Sequence, residues 1–348
     1  LKGVLGVEET ASLAKPETTS AKAYELYLQG RREWNKRTKK SFVAAIDLFN
    51  QAIALDENFA LAYVGIADVK LMETFYNISH PKEAVEEARE ASEKALEINP
   101  NLGEAMTNLG MITQSYDYDL IKAEELFKKA MSLNPNHAIT FTWGGLCANL
   151  TGRYDEALKR ANRALEVDPS NAISIHGESN TQIFSKNLEI AKKNATAGLE
   201  KYPGFHRLGW DVSICHILEG KPQKAIELFE TQKPNLRGMT TLYLNLGVAY
   251  YKVGNKEKAY QLLVELFTLS EQIYIPKEEI AHFCLAVGME EQGFYWLEKA
   301  LEERSTTLII FAPFLPKKYL DDPRYLNVMN QINGWVPWSY DKPEKANP

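Results

Sequence analysis

The amino-acid sequence predicts an all-α protein, a right-handed α-solenoid of about eight helix–turn–helix units that ends in a capping helix. Three observations predict this fold. Small residues recur at one fixed spacing, apolar residues follow helical periodicity on both sides of each turn, and proline closes several units. A regular period also accommodates the length of 348 residues, because a solenoid is not limited by one central core.

The repeat is visible first in small residues that allow two helices to pack closely. They stand 34 positions apart and are Ala123, Ala157, Ala191, Ala225, Ala259 and Gly293. Alanine or glycine at a crossing lets helix axes approach to roughly 8–10 Å, where a larger side chain would hold them apart. Each of these positions therefore marks the second helix of one unit.

The clearest unit runs from Met239 to about Ser270. One face of its first helix is formed by residues three, one and three positions apart, namely Tyr243, Leu246, Gly247 and Tyr250. Gly254 is expected to end that helix, because glycine readily adopts the left-handed conformation found at helix ends. The second helix carries the matching apolar face of Ala259, Leu263 and Leu266.

The other units follow the same order, with two departures near the start of the chain. In the first unit Gly30 and Phe49 match, but about three extra residues are expected to widen the turn from Asn35 to Ser41. The second unit has roughly nine extra residues around positions 73–81. Later units end at Pro100, Pro135, Pro169 and Pro203, whereas the sixth has Arg237 in that place. Proline excludes the preceding residue from the helical region and so ends each second helix on schedule.

Composition and motif searches exclude several classes of function. Forty basic against forty-six acidic side chains give a formal net charge of −6, which argues against a nucleic-acid-binding face. The dense basic run, Lys36, Arg37, Lys39 and Lys40, is interpreted as a solvated turn. No histidine belongs to a zinc pattern and no glycine run to a nucleotide loop. We therefore expect no catalytic residue, no metal ligand and no cofactor in this chain, and no enzyme activity.

The repeat residues just described resemble the tetratricopeptide repeat (TPR), whose order of large, Leu-Gly, Tyr, Ala, Phe, Ala and Pro positions can be followed through most of the chain. Two segments, AYELYLQGRREWNKRT from Ala23 and LDENFALAYVGIAD from Leu55, are similar to the C-terminal TPR regions of bacterial multidomain regulators. In that class the array follows a winged-helix, nucleotide-cyclase or protein-kinase domain. The resemblance implies a junction at residues 1–22, a TPR array at 23–305, and a capping segment and tail at 306–348.

The resemblance also implies that the first helix of each unit lines the concave face of the array. Carried over position by position, the candidate partner-binding residues are Arg31, Trp34, Asp68, Asn108, Trp143, Asn149, His176, Asn180, Arg207, Trp210, Asp211, Asn245, Tyr251 and Lys252. Trp143 and Trp210 have equal claims to pack between helices or to contact a ligand. The final helix, about Asp322 to Ile332, is expected to cover the last unit, with Trp335, Trp338 and Tyr340 packed against it.

The leading expectation is a protein- or peptide-binding scaffold that serves as the interaction or sensory module of a larger bacterial regulator. The alternative is a small-molecule receptor with a closed pocket among Trp143, His176 and Trp210, and one enclosed pocket with converging polar groups would favour it. We expect no nucleic acid and no membrane insertion, and leave assembly into a homo-oligomer open. Three cysteines with no disulfide pattern favour the cytoplasm, or the periplasm if a membrane anchor precedes the segment.

Overall fold

The computed structural model describes residues 18–232, 240–310 and 315–338. Within these ranges the chain forms eighteen α-helices, a short 3-10 helix at Leu308–Ile310 and one isolated β-bridge. In chain order the helices are α1 (Ala21–Asn35), α2 (Lys39–Leu55), α3 (Ala60–Phe75), α4 (Pro81–Ile98), α5 (Gly103–Ser115), α6 (Leu120–Leu133), α7 (Ala138–Leu150), α8 (Tyr154–Val167), α9 (Ala172–Phe184), α10 (Leu188–Lys201), α11 (His206–Leu218), α12 (Pro222–Gln232), α13 (Thr241–Lys252), α14 (Lys256–Ser270), α15 (Lys277–Ala286), α16 (Glu290–Glu302), α17 (Lys317–Leu320) and α18 (Pro323–Met329). Most of the predicted junction at residues 1–22, together with Arg237 and Tyr340, lies outside the described residues.

The first sixteen helices form eight consecutive pairs, from α1 with α2 to α15 with α16. The predicted all-α solenoid of eight units is confirmed. The alanines of the 34-residue ladder are fully buried, namely Ala123, Ala157, Ala191, Ala225 and Ala259. Gly293 is buried at the corresponding place in α16. The period therefore marks the contact between the helices of each pair, as the sequence predicts.

Aromatic side chains fill the space that the small residues leave. The ring of Phe49, which is fully buried, lies between Gly30 of the first unit and Gly65 of the second. A methyl group added at Gly30 would come within 2.5 Å of that ring, and one at Gly65 within 2.6 Å. A single phenylalanine thus packs against two units. It can do so only because both positions are glycine, since a larger residue at either one would clash with the ring.

The extra residues of the first unit lengthen its helices. Helix α1 continues to Asn35 and α2 already begins at Lys39. The Thr38 hydroxyl accepts a hydrogen bond from the Ser41 N–H, and the Ser41 hydroxyl accepts one from the Thr38 N–H. This capping box starts α2 early, so the wide turn predicted from Asn35 to Ser41 is wrong. Helices α1 and α2 have 15 and 17 residues, against 13 and 14 in the third unit.

In the second unit part of the insertion forms a bridging turn, residues 76–80, which crosses the interior of the solenoid with the end of α3. The Asn77 side-chain amide donates a hydrogen bond of 2.7 Å to the Thr240 hydroxyl, 163 positions along the chain. The ring of Phe75 lies 4.9 Å from that of Trp143, and the Phe75 carbonyl accepts a 2.9 Å hydrogen bond from Arg207. The second unit is therefore tied directly to units four, six and seven.

The end of the chain covers the last unit. The ring of Tyr319 lies 6.0 Å from that of Phe294 in α16, and the Arg324 guanidinium sits 3.8 Å above the same Phe294 ring. Helix α18 packs against α16, and its Val328 and Met329 are buried. The predicted capping helix is confirmed, although it is shorter than the predicted span to Ile332.

Beyond the cap, residues 332–338 form a C-terminal strap that returns to the middle of the array. It hydrogen-bonds at the ends of three successive first helices, from Asn333 N–H to the Tyr118 carbonyl (2.8 Å), from Val336 N–H to the Leu150 carbonyl (3.0 Å) and from Trp338 Nε1–H to the Phe184 carbonyl (3.1 Å). Trp338 is buried, and one continuous apolar cluster joins the first five units to the last unit and the cap. The strap thus closes the solenoid from its other end.

No helix in these ranges has both the length and the apolar character required to cross a lipid bilayer.

We expect a chain that ends after Thr306 to unfold at a markedly lower urea concentration than the full chain. The deletion removes the cap and the strap, and full burial of one aliphatic side chain such as Val328 contributes roughly 1.5–3 kcal/mol. Urea titration followed by far-ultraviolet circular dichroism measures the effect. A chain that ends after Trp338 is the control and should unfold like the full chain. Equal midpoints for the two truncations would contradict the stabilising role of the cap and strap.

Candidate ligand-binding cavity

The first helices of the first six units surround one interior cavity of about 1050 Å³. Residues from α13, α15 and the 3-10 helix, Thr241, Glu279 and Ile310, complete its wall. Ten of the fourteen predicted site residues line this cavity, namely Arg31, Trp34, Asp68, Asn108, Trp143, Asn149, His176, Asn180, Arg207 and Trp210. The concave face is thus a partly open, walled space with the predicted residues around it, because the end of α3 and the bridging turn cross the interior.

The other four predicted residues lie elsewhere. Asp211 is fully buried behind the cavity wall, where it contacts His176. Asn245, Tyr251 and Lys252 line a second, smaller groove of about 360 Å³ between α11, α13 and α15. The predicted set therefore divides between two places in the structure.

A tryptophan between two arginines forms one end of the cavity. The Arg37 guanidinium lies 3.4 Å from the centre of the Trp34 ring, and that of Arg31 lies 4.2 Å from it. Arg31 also forms an ion pair with Asp68, which accepts a 2.7 Å hydrogen bond from Asn108. Asp68 is thereby neutralised by Arg31, whereas Arg37 has no carboxylate partner among the described residues.

Arg37 differs from its sequence-based interpretation as part of a solvated basic turn. Its backbone has a φ of 53°, which turns the chain back over α1, and its Nη1 atom is buried without a hydrogen-bond partner among the described residues. Burial lowers the pKa of Arg37 to about 10, so the guanidinium still carries its charge at neutral pH. Lys36 and Lys39 of the same run line the cavity as well.

Two further tryptophans contribute ring edges and faces to the wall. Trp143 packs against Phe75 at the end of α3, and Trp210 lies 6.1 Å from the His176 ring. Both indoles are partly buried and both line the cavity. Each of these two side chains therefore packs against neighbouring helices with one part of its ring and faces the cavity with another.

His176 is oriented by the buried Asp211. The distance from His176 Nδ1 to Asp211 Oδ2 is 2.8 Å, so the carboxylate accepts a hydrogen bond from Nδ1 and leaves Nε2 for the cavity. Burial raises the pKa of Asp211, and the nearby His176 and Arg207 oppose that shift. A carboxylate behind a histidine of this kind fixes the ring for hydrogen bonding to a ligand.

Glu279 lies on the far wall, on the eighth unit, and the sequence analysis did not include it. Its side chain is 4% exposed, and burial raises its pKa to about 8. The Thr240 hydroxyl, which accepts a hydrogen bond from Asn77 of the bridging turn, also hydrogen-bonds to Glu279. This bond and the positive charge of Arg207 in the sixth unit partly oppose the rise of the Glu279 pKa. At neutral pH this carboxyl group is mainly protonated and adds little negative charge to the cavity.

The sequence carried weak signals for the residues that were missed. Arg37 belongs to a basic run, but only the early start of α2 shows that the run faces inward. Glu279 lies in a first helix, the element that lines the cavity elsewhere, and its neighbours come from units two, six and seven. Such neighbours depend on how far the solenoid curves, and no local pattern encodes that curvature.

The comparisons with known proteins agree with this architecture. The family model "Tetratricopeptide repeat" matches residues 240–273. A tetratricopeptide repeat protein from Parabacteroides merdae has a TM-score of 0.51 at 16% identity, over 77% of this chain and 99% of that one. Yeast Tom70 has a TM-score of 0.51 at 17% identity over 95% and 74% of the two chains. The chain has the fold of a TPR array.

Two other relatives extend the comparison. The human IFIT1 dimer with m7Gppp-AAAA has a TM-score of 0.60 at 15% identity, over 85% of this chain and 75% of that one. Among curated sequences, the transcriptional regulator HilA of Salmonella typhimurium is 30% identical over 156 residues. The match covers 45% of this chain and 28% of the length of HilA. It is compatible with a TPR region associated with a regulator.

We expect Glu279→Gln to remove a pH dependence of stability between about pH 6 and pH 8. The folded chain holds the Glu279 proton up to about pH 8, whereas an unfolded chain releases it near pH 4. The unfolding free energy of the native chain should therefore fall as pH rises through this window, by at most ~1.4 kcal/mol per pH unit. Glutamine is neutral at every pH, so the unfolding free energy of the variant should rise relative to that of the native chain as pH rises.

Urea unfolding at several pH values measures this difference. Glu271→Gln is the control, because Glu271 is exposed on the outer surface. Parallel pH curves for the native chain and Glu279→Gln would contradict a raised pKa at this site.

Proposed function

We propose that this chain is a non-catalytic sensory module of a larger bacterial regulator, and that its interior cavity binds the effector. The single observation that carries the proposal is the cavity itself, a walled space of about 1050 Å³. Three tryptophans and several polar side chains converge on it, which is the arrangement that ligand sites use. The similarity to a transcriptional regulator supports the context.

The closure of the solenoid supports a small molecule over a long peptide as the occupant. An open TPR groove can hold an extended segment along its whole length, but here Phe75 and the bridging turn cross the interior. The volume of about 1050 Å³ is just above the roughly 300–1,000 Å³ typical of small-molecule sites. We therefore favour a small-molecule receptor over a peptide-binding scaffold in this proposal.

The proposal includes the remaining features of the chain. It divides the segment into a junction at 1–22, the array at 23–305 and a capping segment with tail at 306–348, and it places the module in the cytoplasm. It assigns no catalytic role, since TPR arrays act as scaffolds and the described lining of the cavity holds neither serine nor cysteine. The output activity belongs to whichever domain the array controls.

A neutral fluorescent probe, N-phenyl-1-naphthylamine, tests whether the cavity binds small aromatic molecules. We expect saturable binding to the native chain and a loss of about tenfold or more in affinity for Ile139→Trp, which fills part of the cavity. Ile190→Trp is the matched control, because Ile190 is 47% exposed on α10, outside the cavity. Equal binding to all three proteins would show that the probe sits elsewhere and would contradict the proposal.

Docking of a protein or peptide is the second candidate, and the small groove favours it. This groove presents the apolar side chains of Ile214, Leu244 and Val248 beside Asn245 and Lys252. Its volume of about 360 Å³ suits one or two large side chains of a partner. A pocket with an apolar floor and a polar rim is typical of an anchor site in an interface.

Peptides selected by phage display on the native array test this second site. Selected peptides should bind at least about fivefold more weakly to Lys252→Glu, because Lys252 is exposed at the rim of the small groove, and equally well to Ile139→Trp. Peptides that lose binding only to Ile139→Trp would instead assign protein docking to the interior cavity.

A further inference from the structure

We infer that the interior cavity selects a small anionic molecule that carries a flat aromatic or conjugated ring. This inference rests on the proposed function and specifies the chemical class of the effector. It depends on the charge of the cavity, on tryptophan faces and on buried polar atoms that lack partners.

The cavity has the opposite charge to the chain as a whole. The chain carries a formal charge of −6. Six basic residues line the cavity, namely Arg31, Lys36, Arg37, Lys39, Lys201 and Arg207, against the two acidic residues Asp68 and Glu279. Arg31, Arg37 and Arg207 are partly buried, whereas the three lysines are exposed and Lys36 pairs with Glu33. Like charges that are partly withdrawn from water raise the potential of the space they face and favour a counter-charge inside it. The ligand that restores balance is an anion.

The two acidic residues do not cancel this excess. Asp68 is engaged by Arg31 and Asn108, and Glu279 is mainly protonated at neutral pH because it is buried. Among the described residues, Arg37 and Arg207 form no ion pair with a carboxylate. Arg207 donates to the neutral carbonyl of Phe75 and lies 5.5 Å from the Tyr76 ring. These two guanidinium groups are therefore available to a ligand anion.

The aromatic part of the ligand follows from Trp143 and Trp210, two partly buried indoles that line the cavity. The ring of Trp34 is already covered by Arg31 and Arg37, so the flat group at that end of the cavity is the Arg37 guanidinium. Conjugated rings stack on indole and guanidinium faces. A purely aliphatic anion would leave these faces unused.

Two buried donors at this end of the cavity lack acceptors. Trp34 Nε1 and Arg37 Nη1 are both inaccessible to solvent and have no hydrogen-bond partner among the described residues. Buried donors are nearly always paired, either with protein groups or with ordered water, and a ligand oxygen at this end of the cavity can take that place. A carboxylate, sulfonate or phosphate oxygen supplies that acceptor.

A matched pair of probes tests the charge selectivity. The sulfonated dye 8-anilinonaphthalene-1-sulfonate differs from N-phenyl-1-naphthylamine by its anionic group and has the same ring system. We expect the anionic dye to bind about tenfold more tightly than the neutral one at low salt. Arg37→Met should reduce that preference by about fivefold, measured as the ratio of the two dye affinities, because Arg37 has no carboxylate partner among the described residues.

Controls separate this inference from the proposed function. Arg32→Met is the matched variant, since Arg32 is exposed on α1 beside Arg31, and it should change neither probe. If both dyes bind equally but Ile139→Trp still weakens them, the cavity is a ligand site without charge selectivity and only this inference is wrong. If neither dye responds to Ile139→Trp, the proposed function and the inference are both wrong.

A nucleic acid is the remaining occupant that the same chemistry would accept. Displacement of the anionic dye by adenosine 5′-monophosphate and by a short oligoadenylate distinguishes the two. We expect the mononucleotide to displace the dye at least as well per molecule as the oligonucleotide. An oligonucleotide that displaces the dye about tenfold better would overturn the assignment of a small molecule.

Discussion

The contact of Phe75 with Trp143 and Arg207 divides the concave side of the repeat array and gives it a walled interior cavity. Repeat arrays are usually open along their concave side, because each unit touches only its neighbours. Here the end of α3 and the turn after it reach units four, six and seven across the interior. The cavity, the burial of Glu279 and the inward position of Trp143 all depend on that crossing.

Acidic and basic side chains are distributed differently between the outer surface and the cavity. The outer surface carries the acidic excess of the chain, while basic residues collect around the cavity together with tryptophans. Asp68 and Asp211 do not reduce the positive potential much, because Asp68 faces Arg31 and Asp211 faces His176. Net charge therefore does not describe the interior, where a conclusion requires the positions of the individual side chains.

The sequence predicts the elements of this fold well because the information for them is local. The burial of Ala123 and its successors follows from a spacing that each helix pair repeats, and the pairing of Gly30 with Phe49 lies within one unit. The first helices also predict most of the cavity lining. The bridging turn, the strap and Glu279 could not be predicted, because their contacts join residues far apart in sequence and depend on the accumulated curvature of eight units. The inward orientation of Arg37 depends on a left-handed residue that is not glycine, which no pattern signals.

The strap has a consequence for how the chain folds. In an ordinary solenoid, folding can begin in any unit and spread to its neighbours, and the ends can unravel alone. Here hydrogen bonds join residues 132, 154, 163 and 187 positions apart, and units three to five complete their packing only when the strap, whose Trp338 lies 154 positions further along the chain than Phe184, is in place. Non-local contacts of this length slow folding and make it more cooperative. The repeats therefore do not unfold independently. The first and last units are expected to unfold in one cooperative transition.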